Sequence, residues 1–348
     1  MKRWAWNLFW IAVIAVLLYL LLKDIDFYEV YLILTYANFN YILLAFIFTG
    51  MTFVVWNIRW SFLFSKVFEG DFWFLLNVLL AGAFFNTITP GAGIGGEPFR
   101  AHFLAKRYKK SQTTMLAYVI SDKFYQLITL AVFSVFSILF ILVYVNISNT
   151  LKYILEGALI FVLGFSGITF YLIARKLNFS WGGLAKKLHF LKSLRRRFKH
   201  EDHLEKFVNN KISIFARVFR KSVKNKKHMA EAFFLALSFW ICTYLTSYFL
   251  FLAFKQDVNF LSVIIVVTLG TLVGAFALVP GGIAVTEISM TLLFSAMGIP
   301  IAFAFIISLL TRLIYYVYSI PIGAISLWYI RKVTHEEKGK LMEKKSYN

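Results

Sequence analysis

Seven ionisable residues stand inside otherwise apolar segments: Arg59, Glu97, Arg100, Asp122, Lys123, Glu287 and Arg312. An ionisable group in a membrane-spanning helix costs about 2.5–3.5 kcal/mol on insertion scales, so each must be paired, lie near an interface or line a polar cavity. Arg100 and Arg312 carry planar forks suited to gripping an anionic group in a bidentate way. Glu97 and Glu287 would then orient those arginines or carry a coupling proton. Glu97 and Arg100 are three residues apart, on one helical face, and can equally satisfy each other. Asp122 and Lys123 are adjacent, about 100° apart around a helix, so they should find different partners. Arg59, beside Trp60 near the end of its segment, reads as a cation snorkelling to the interface.

Two short motifs position the glutamates. Pro90-Gly91-Ala92-Gly93-Ile94-Gly95-Gly96-Glu97 and Pro280-Gly281-Gly282-Ile283-Ala284-Val285-Thr286-Glu287 each consist of Pro-Gly, five residues and Glu. Each follows an apolar arm and precedes a helix start, with Pro98 suited to a first helical position and Thr286 to an N-cap. Gly91 and Gly281 should need positive φ or close backbone approach. With Asn86, Gly93 and Gly282, they would offer amides and side chains at the bends to an anion. A bare Pro-Gly kink is the plainer alternative, but two matches of equal spacing favour a shared architecture.

The surrounding segments are those of a membrane protein. Of 348 residues, 60% are hydrophobic, 19% aromatic and 16% charged, with a mean hydropathy of +0.71, which excludes a soluble globular enzyme. Apolar runs fall at 5–22, 40–64, 72–89, 114–145, 152–174, 229–254, 261–279, 283–298 and 301–330. The first could pass for a signal peptide, but no small-residue cleavage site follows Leu22, and it reads as a retained helix. Lys and Arg concentrate in cytoplasmic loops. By that rule positions 66, 108, 200 and 340 face the cytoplasm and 26, 148, 257 and 299 face outside, with both termini cytoplasmic in a multi-pass plasma-membrane protein.

Parity then makes residues 72–104 a re-entrant hairpin, because the chain is cytoplasmic on both sides of it. Residues 261–298 start and finish outside, as two thin crossings or as a second re-entrant hairpin. The expected fold is an all-α integral membrane bundle, one domain over 1–335 with a cytoplasmic tail at 336–348. Its repeat units, 40–145 and 229–330, enter from opposite sides, an arrangement by which many transporters build a mid-depth site.

The stretch 175–228 holds 17 Lys and Arg against three acidic residues, a net +14 of the chain's +20. Leu184, Leu188, Leu191, Leu194 and Phe198 share one helical face, opposite Lys186, Lys187, Lys192 and Arg195–Arg197, as expected of an amphipathic helix on the anionic inner leaflet. Nucleic acid is not an expected partner, since the flanking spans put these charges at a lipid surface; the sequence leaves homo-oligomerisation open. With one cysteine, Cys242, and no histidine pair at ligand spacing, no metal site is expected. No Walker A sequence is present, and no cofactor is expected. Asp24-Ile25-Asp26 has no domain around it to bind a nucleotide sugar, and Asn146-Ile147-Ser148 is an external sequon.

At Asn86–Ala101, at Ser121-Asp122-Lys123, at Val279–Glu287, and at Arg312-Leu313-Ile314-Tyr315-Tyr316 with Pro321 and Gly323, the chain resembles the flippase-like transmembrane family named after lysylphosphatidylglycerol synthase. The resemblance implies a lipid-translocating domain with its head-group site near the two hairpins. Relatives often have Arg where Ala92 and Lys123 stand. Members of the bacterial resistance-factor type add a soluble aminoacyl-transferase domain; this chain ends 18 residues past Ile330, and aminoacyl-lipid synthesis is not expected. The expected substrate is an anionic lipid, either a phospholipid or a polyprenyl-phosphate carrier, and the chain is not expected to be an enzyme. The rivals are a small-solute carrier or channel and a membrane lipid transferase or its accessory, which would have to draw its acid and base from Glu97, Glu287 and Asp122.

Overall fold

The computed structural model describes residues 27–65, 70–89, 95–144, 149–174, 209–211, 213–219, 226–277 and 279–346. The apolar run 5–22, the bend with Gly91 and Gly93, the sequon and the amphipathic face from Leu184 to Phe198 lie outside the described residues. Among the described residues there is no strand. In chain order the helices are α1 (Phe27–Thr35), α2 (Phe39–Phe64), α3 (Phe72–Ile88), α4 (Gly96–Arg107), α5 (Gln112–Tyr144), α6 (Asn149–Ala174), α7 (Lys226–Ala253), α8 (Phe260–Phe276), α9 (Val285–Ala296) and α10 (Ile301–Val317). The last continues through a π turn, Tyr318–Ile322, into α11 (Gly323–Ser346). Pro321 sits in that turn and has no N–H to give, which a locally widened helix accommodates.

Among the described residues, four helical segments are long and apolar enough to cross a bilayer: Phe39–Phe64, Gln112–Tyr144, Lys227–Ala253 and Ile301–Thr334. The protein is therefore an all-α, multi-pass membrane protein.

Between those spans lie two helical hairpins of matching dimensions. α3 and α8 each have 17 residues, and α4 and α9 each have 12. At 1.5 Å per residue the shorter arms reach about 18 Å, well short of the roughly 30 Å hydrocarbon core. Neither pair of arms makes two crossings, which resolves 261–298 as the re-entrant alternative. Both hairpins are entered through a polar cap: Asp71 Oδ1 accepts from Trp73 N at 3.0 Å, and Asn259 Oδ1 from Leu261 N at 2.9 Å. Such caps are worth about 1 kcal/mol each.

The helices break before proline. Thr89 (φ −98°, ψ 139°) precedes Pro90 and Val279 (φ −87°, ψ 141°) precedes Pro280, both in the extended region to which proline drives its predecessor. The return arms begin differently from expectation. α4 starts at Gly96, so Pro98 is its third residue. Thr286 is not the N-cap of α9; Ala284 holds that place, and the Thr286 hydroxyl donates to Gly282 O at 3.1 Å. The threonine is spent closing the bend.

The opening helices of the two repeats establish the inversion. Asn38 N donates to Ala253 O at 2.8 Å, Thr49 and Thr246 join hydroxyls at 3.1 Å, the Trp56 and Phe239 rings lie 5.9 Å apart, and the Phe62 and His228 rings 4.8 Å. Numbers rise along α2 as they fall along α7. Equivalent helices thus run antiparallel, as the opposed entry of the two units requires. Packing on this seam is largely aromatic; without a hydrophobic gain between helices in lipid, van der Waals fit and interhelical hydrogen bonds must hold it.

Candidate functional site

The hairpin tips meet. A Cβ on Gly281 would lie 2.9 Å from Thr87 O, and the backbone of Gly281 already sits at φ +59°, so both the close approach and the left-handed conformation are present at this glycine. Gly282 (φ 68°) and Ala284 (φ 68°) continue the left-handed bend. In the first hairpin the arms are clasped by Asn86, whose Oδ1 accepts from Gly96 N at 2.6 Å. A side chain on Gly96 would strike the Gly82 carbonyl, so that position must stay bare.

Around the meeting point is a cavity of about 250 Å³. Asn86 and Thr87 line it from the first hairpin; Gly281, Gly282 and Thr286 line it from the second. α2 gives Thr49, Thr52 and Trp56, and α7 gives Thr243 and Thr246. The cations on the wall are Lys123 of α5 and Arg312 of α10, one from each repeat. A hydroxyl-rich lining with two cations, enclosed by apolar spans, suits a polar anion brought to mid-depth.

Each cation is backed by its hairpin glutamate. Lys123 Nζ lies 3.3 Å from Glu97 Oε1, and Arg312 Nε lies 3.3 Å from Glu287 Oε1. The two arrangements then diverge. Glu97 Oε1 also accepts from Arg100 Nη2 at 2.9 Å. Glu287 Oε1 instead accepts from the Tyr316 hydroxyl at 3.0 Å, and that hydroxyl accepts from Arg312 Nη2 at 3.0 Å. Arg312 Nη2 additionally donates to Gly281 O at 2.6 Å, tying the span to the bend. Oε2 of each glutamate is buried without a hydrogen-bond partner among the described residues.

Three expectations need correction. Arg100 does not stand with Arg312 at the cavity wall: it is fully buried, its guanidinium 5.1 Å from the Trp56 ring centre and 5.3 Å from that of Trp60, with Glu97 as its ion-pair partner. The i, i+3 spacing within one arm put the carboxylate closer than any ligand, and Lys123 takes the wall position instead. Arg59 does not snorkel. It is fully buried, and its Nε donates to Asp122 Oδ1 at 2.7 Å while Trp56 Nε1 donates to Oδ2 at 2.6 Å. Asp122 is therefore occupied inside the bundle and is absent from the cavity wall. The divergence of Asp122 and Lys123 toward Arg59 and Glu97 is as their 100° separation requires.

Residues at the cavity wall and behind it carry sequence signals of their own. Thr49-Gly50-Met51-Thr52 and Thr243-Tyr244-Leu245-Thr246 are matched T-x-x-T pairs on equivalent helices, a pattern visible in the letters. Trp56, Arg59 and Trp60 share the i, i+3, i+4 spacing of one helix face, which marks them as facing a neighbour together. Tyr316, the hydroxyl between Arg312 and Glu287, has as its sequence signal its place in the Arg312–Tyr316 motif, four residues from the arginine.

The family model for the lysylphosphatidylglycerol synthase TM region matches residues 7–323. Similar proteins include a UPF0104 membrane protein of Pyrococcus horikoshii, 28% identical over 85% of this chain and 89% of that protein. Another, from Methanocaldococcus jannaschii, is 28% identical over 88% of this chain and 90% of its own length. A third, from Methanothermobacter thermautotrophicus, is 26% identical over 87% and 88%. With nearly the whole sequence matched, the chain belongs to the family of the lysylphosphatidylglycerol synthase transmembrane region.

Proposed function

We propose that this protein carries an anionic lipid, a phospholipid or a polyprenyl-phosphate carrier, between the leaflets of the plasma membrane. The observation that carries the reading is the pairing of Lys123 and Arg312, one cation from each inverted repeat, on the wall of a single cavity between the hairpin tips. A phosphate between them would exchange its hydration for two charge-assisted contacts and threonine hydroxyls. The volume, about 250 Å³, suits a head group while the acyl or prenyl chains stay in the bilayer. Membership of a family named for a lipid-modifying protein supports lipid over free solute as the cargo.

What supports transport over catalysis is that Glu97, Glu287 and Asp122, the carboxylates a transferase would need, are each held by a cation. Both termini lie in the cytoplasm, and the basic stretch 175–228 rests on anionic lipids of the inner leaflet. The test is leaflet exchange of a fluorescent phosphatidylglycerol in proteoliposomes, scored by chemical quenching of the outer leaflet. Faster exchange than in empty vesicles, lost in Lys123→Gln and Arg312→Gln, is expected. Exchange no faster than in empty vesicles would overturn the reading.

A further inference from the structure

The two glutamates differ in what remains to them when the cavity fills. An anion seated between Lys123 and Arg312 competes with Glu97 and Glu287 for those two cations. Glu97 keeps Arg100, 2.9 Å away and off the cavity wall. Glu287 has no such reserve. Among the described residues Arg312 is the cation on it; α8 and α10 flank α9 most closely, and α7 meets it through the Phe251 and Phe294 rings, 4.9 Å apart, bringing Tyr248 and Tyr244 on that half, the latter bonded to Thr268. α8 carries no ionisable side chain; α10 offers Arg312, Tyr315 and Tyr316, and α9 itself holds no other ionisable group. Once Arg312 turns to the anion, Glu287 would be a buried carboxylate with one tyrosine hydroxyl on Oε1 and nothing on Oε2. Such a charge is costly enough that the group takes up a proton instead.

From this asymmetry, and resting on the function proposed above, we infer that Glu287 is a proton-binding site that couples anion entry to the uptake of one proton. The proton comes from water in the cavity and ends on the Glu287 carboxyl, either directly at Oε2 or through Tyr316, whose hydroxyl passes its proton to Oε1 and regains one from water. The protein then moves anion and proton together, and a proton gradient can drive lipid movement. The sign follows by linkage: because the loaded state binds the extra proton, affinity for the anion rises as pH falls. The rise is about tenfold per pH unit across the window where Glu287 is charged when empty and protonated when loaded.

The test uses the full chain in detergent, weakly buffered with an indicator dye, titrated with a short-chain water-soluble phosphatidylglycerol while calorimetry counts binding. Wild type should take up about one proton per lipid bound. Glu287→Gln should bind with no uptake and lose the pH dependence, whereas Glu97→Gln should keep the one-proton stoichiometry for whatever lipid it binds. Should Glu287→Gln fail to fold, infrared difference spectra of the wild type must show a protonated-carboxyl band appearing with the lipid, retained in Glu97→Gln. Binding without uptake, uptake that persists in Glu287→Gln, or no carboxyl band overturns the inference alone. Absence of lipid binding removes the proposed function and this inference with it.

Discussion

Arg59 and Asp122 form a fully buried ion pair, Nε to Oδ1 at 2.7 Å, that joins the first and last spans of the first repeat. The second carboxylate oxygen is taken by Trp56 Nε1. Two charges withdrawn from water are tolerated only together, and removing one strands the other at a cost of about 3–5 kcal/mol. Asp122→Asn should therefore lower the thermal unfolding temperature in detergent more than the double replacement Arg59→Leu with Asp122→Leu. If the single variant melts like wild type, the pair contributes little and Asp122 is available for another role.

Gly281 combines φ +59° with the Thr87 carbonyl at 2.9 Å from any added Cβ. Gly281→Ala incurs both strain and a backbone clash at the point where the hairpins touch. Gly298, at φ +91° with open space around it, incurs strain alone. We expect Gly281→Ala to abolish lipid exchange while the chain still inserts, and Gly298→Ala to cost about 1 kcal/mol of stability with exchange retained. Equal exchange in the two variants would mean that the contact between hairpin tips has no part in transport.

The hairpins were legible because proline, glycine and the parity of basic loops act locally and leave marks in the letters: the extended residues before Pro90 and Pro280 follow from covalent geometry. The shared glutamates were legible for the same reason. What the letters did not reveal was which partner each charge chose. Arg100 could face a ligand or Glu97, and Arg59 could face lipid or Asp122; those choices depend on how α2 and α5 are rotated about their axes. Rotation in a membrane bundle is fixed by packing among neighbours. Its sequence trace, the Trp56-Arg59-Trp60 face, reads as a boundary belt until a partner is seen.

The antiparallel course of α2 and α7, seen in the Thr49–Thr246 and Asn38–Ala253 contacts, requires their starts to lie on opposite sides of the membrane. Single cysteines at 108 and 257 in a Cys242→Ala background should accordingly label from opposite faces, 108 from the cytoplasm and 257 from outside. Labelling of both from one face would break the inverted repeat.

Arginine and lysine at the cavity make separable predictions. Lys123 and Arg312 reach the cavity wall, whereas Arg100 is enclosed by Trp56, Trp60 and Glu97. A charge-assisted hydrogen bond is worth about 1.5–3 kcal/mol, so Lys123→Gln and Arg312→Gln should each weaken binding of a short-chain anionic lipid by roughly 10- to 150-fold. Arg312→Lys should recover only part, because an ammonium cannot hold Gly281 O, Tyr316 and Glu287 in one plane as the guanidinium does. Arg100→Gln should act on stability instead: it leaves Glu97 with Lys123 as its remaining cation and empties the space between two indoles, lowering the unfolding temperature with a smaller effect on affinity. Calorimetric binding and thermal unfolding on the same four purified variants separate the roles. If Arg100→Gln loses affinity as far as Arg312→Gln while melting like wild type, Arg100 contacts the head group after all and the cavity must rearrange to admit it.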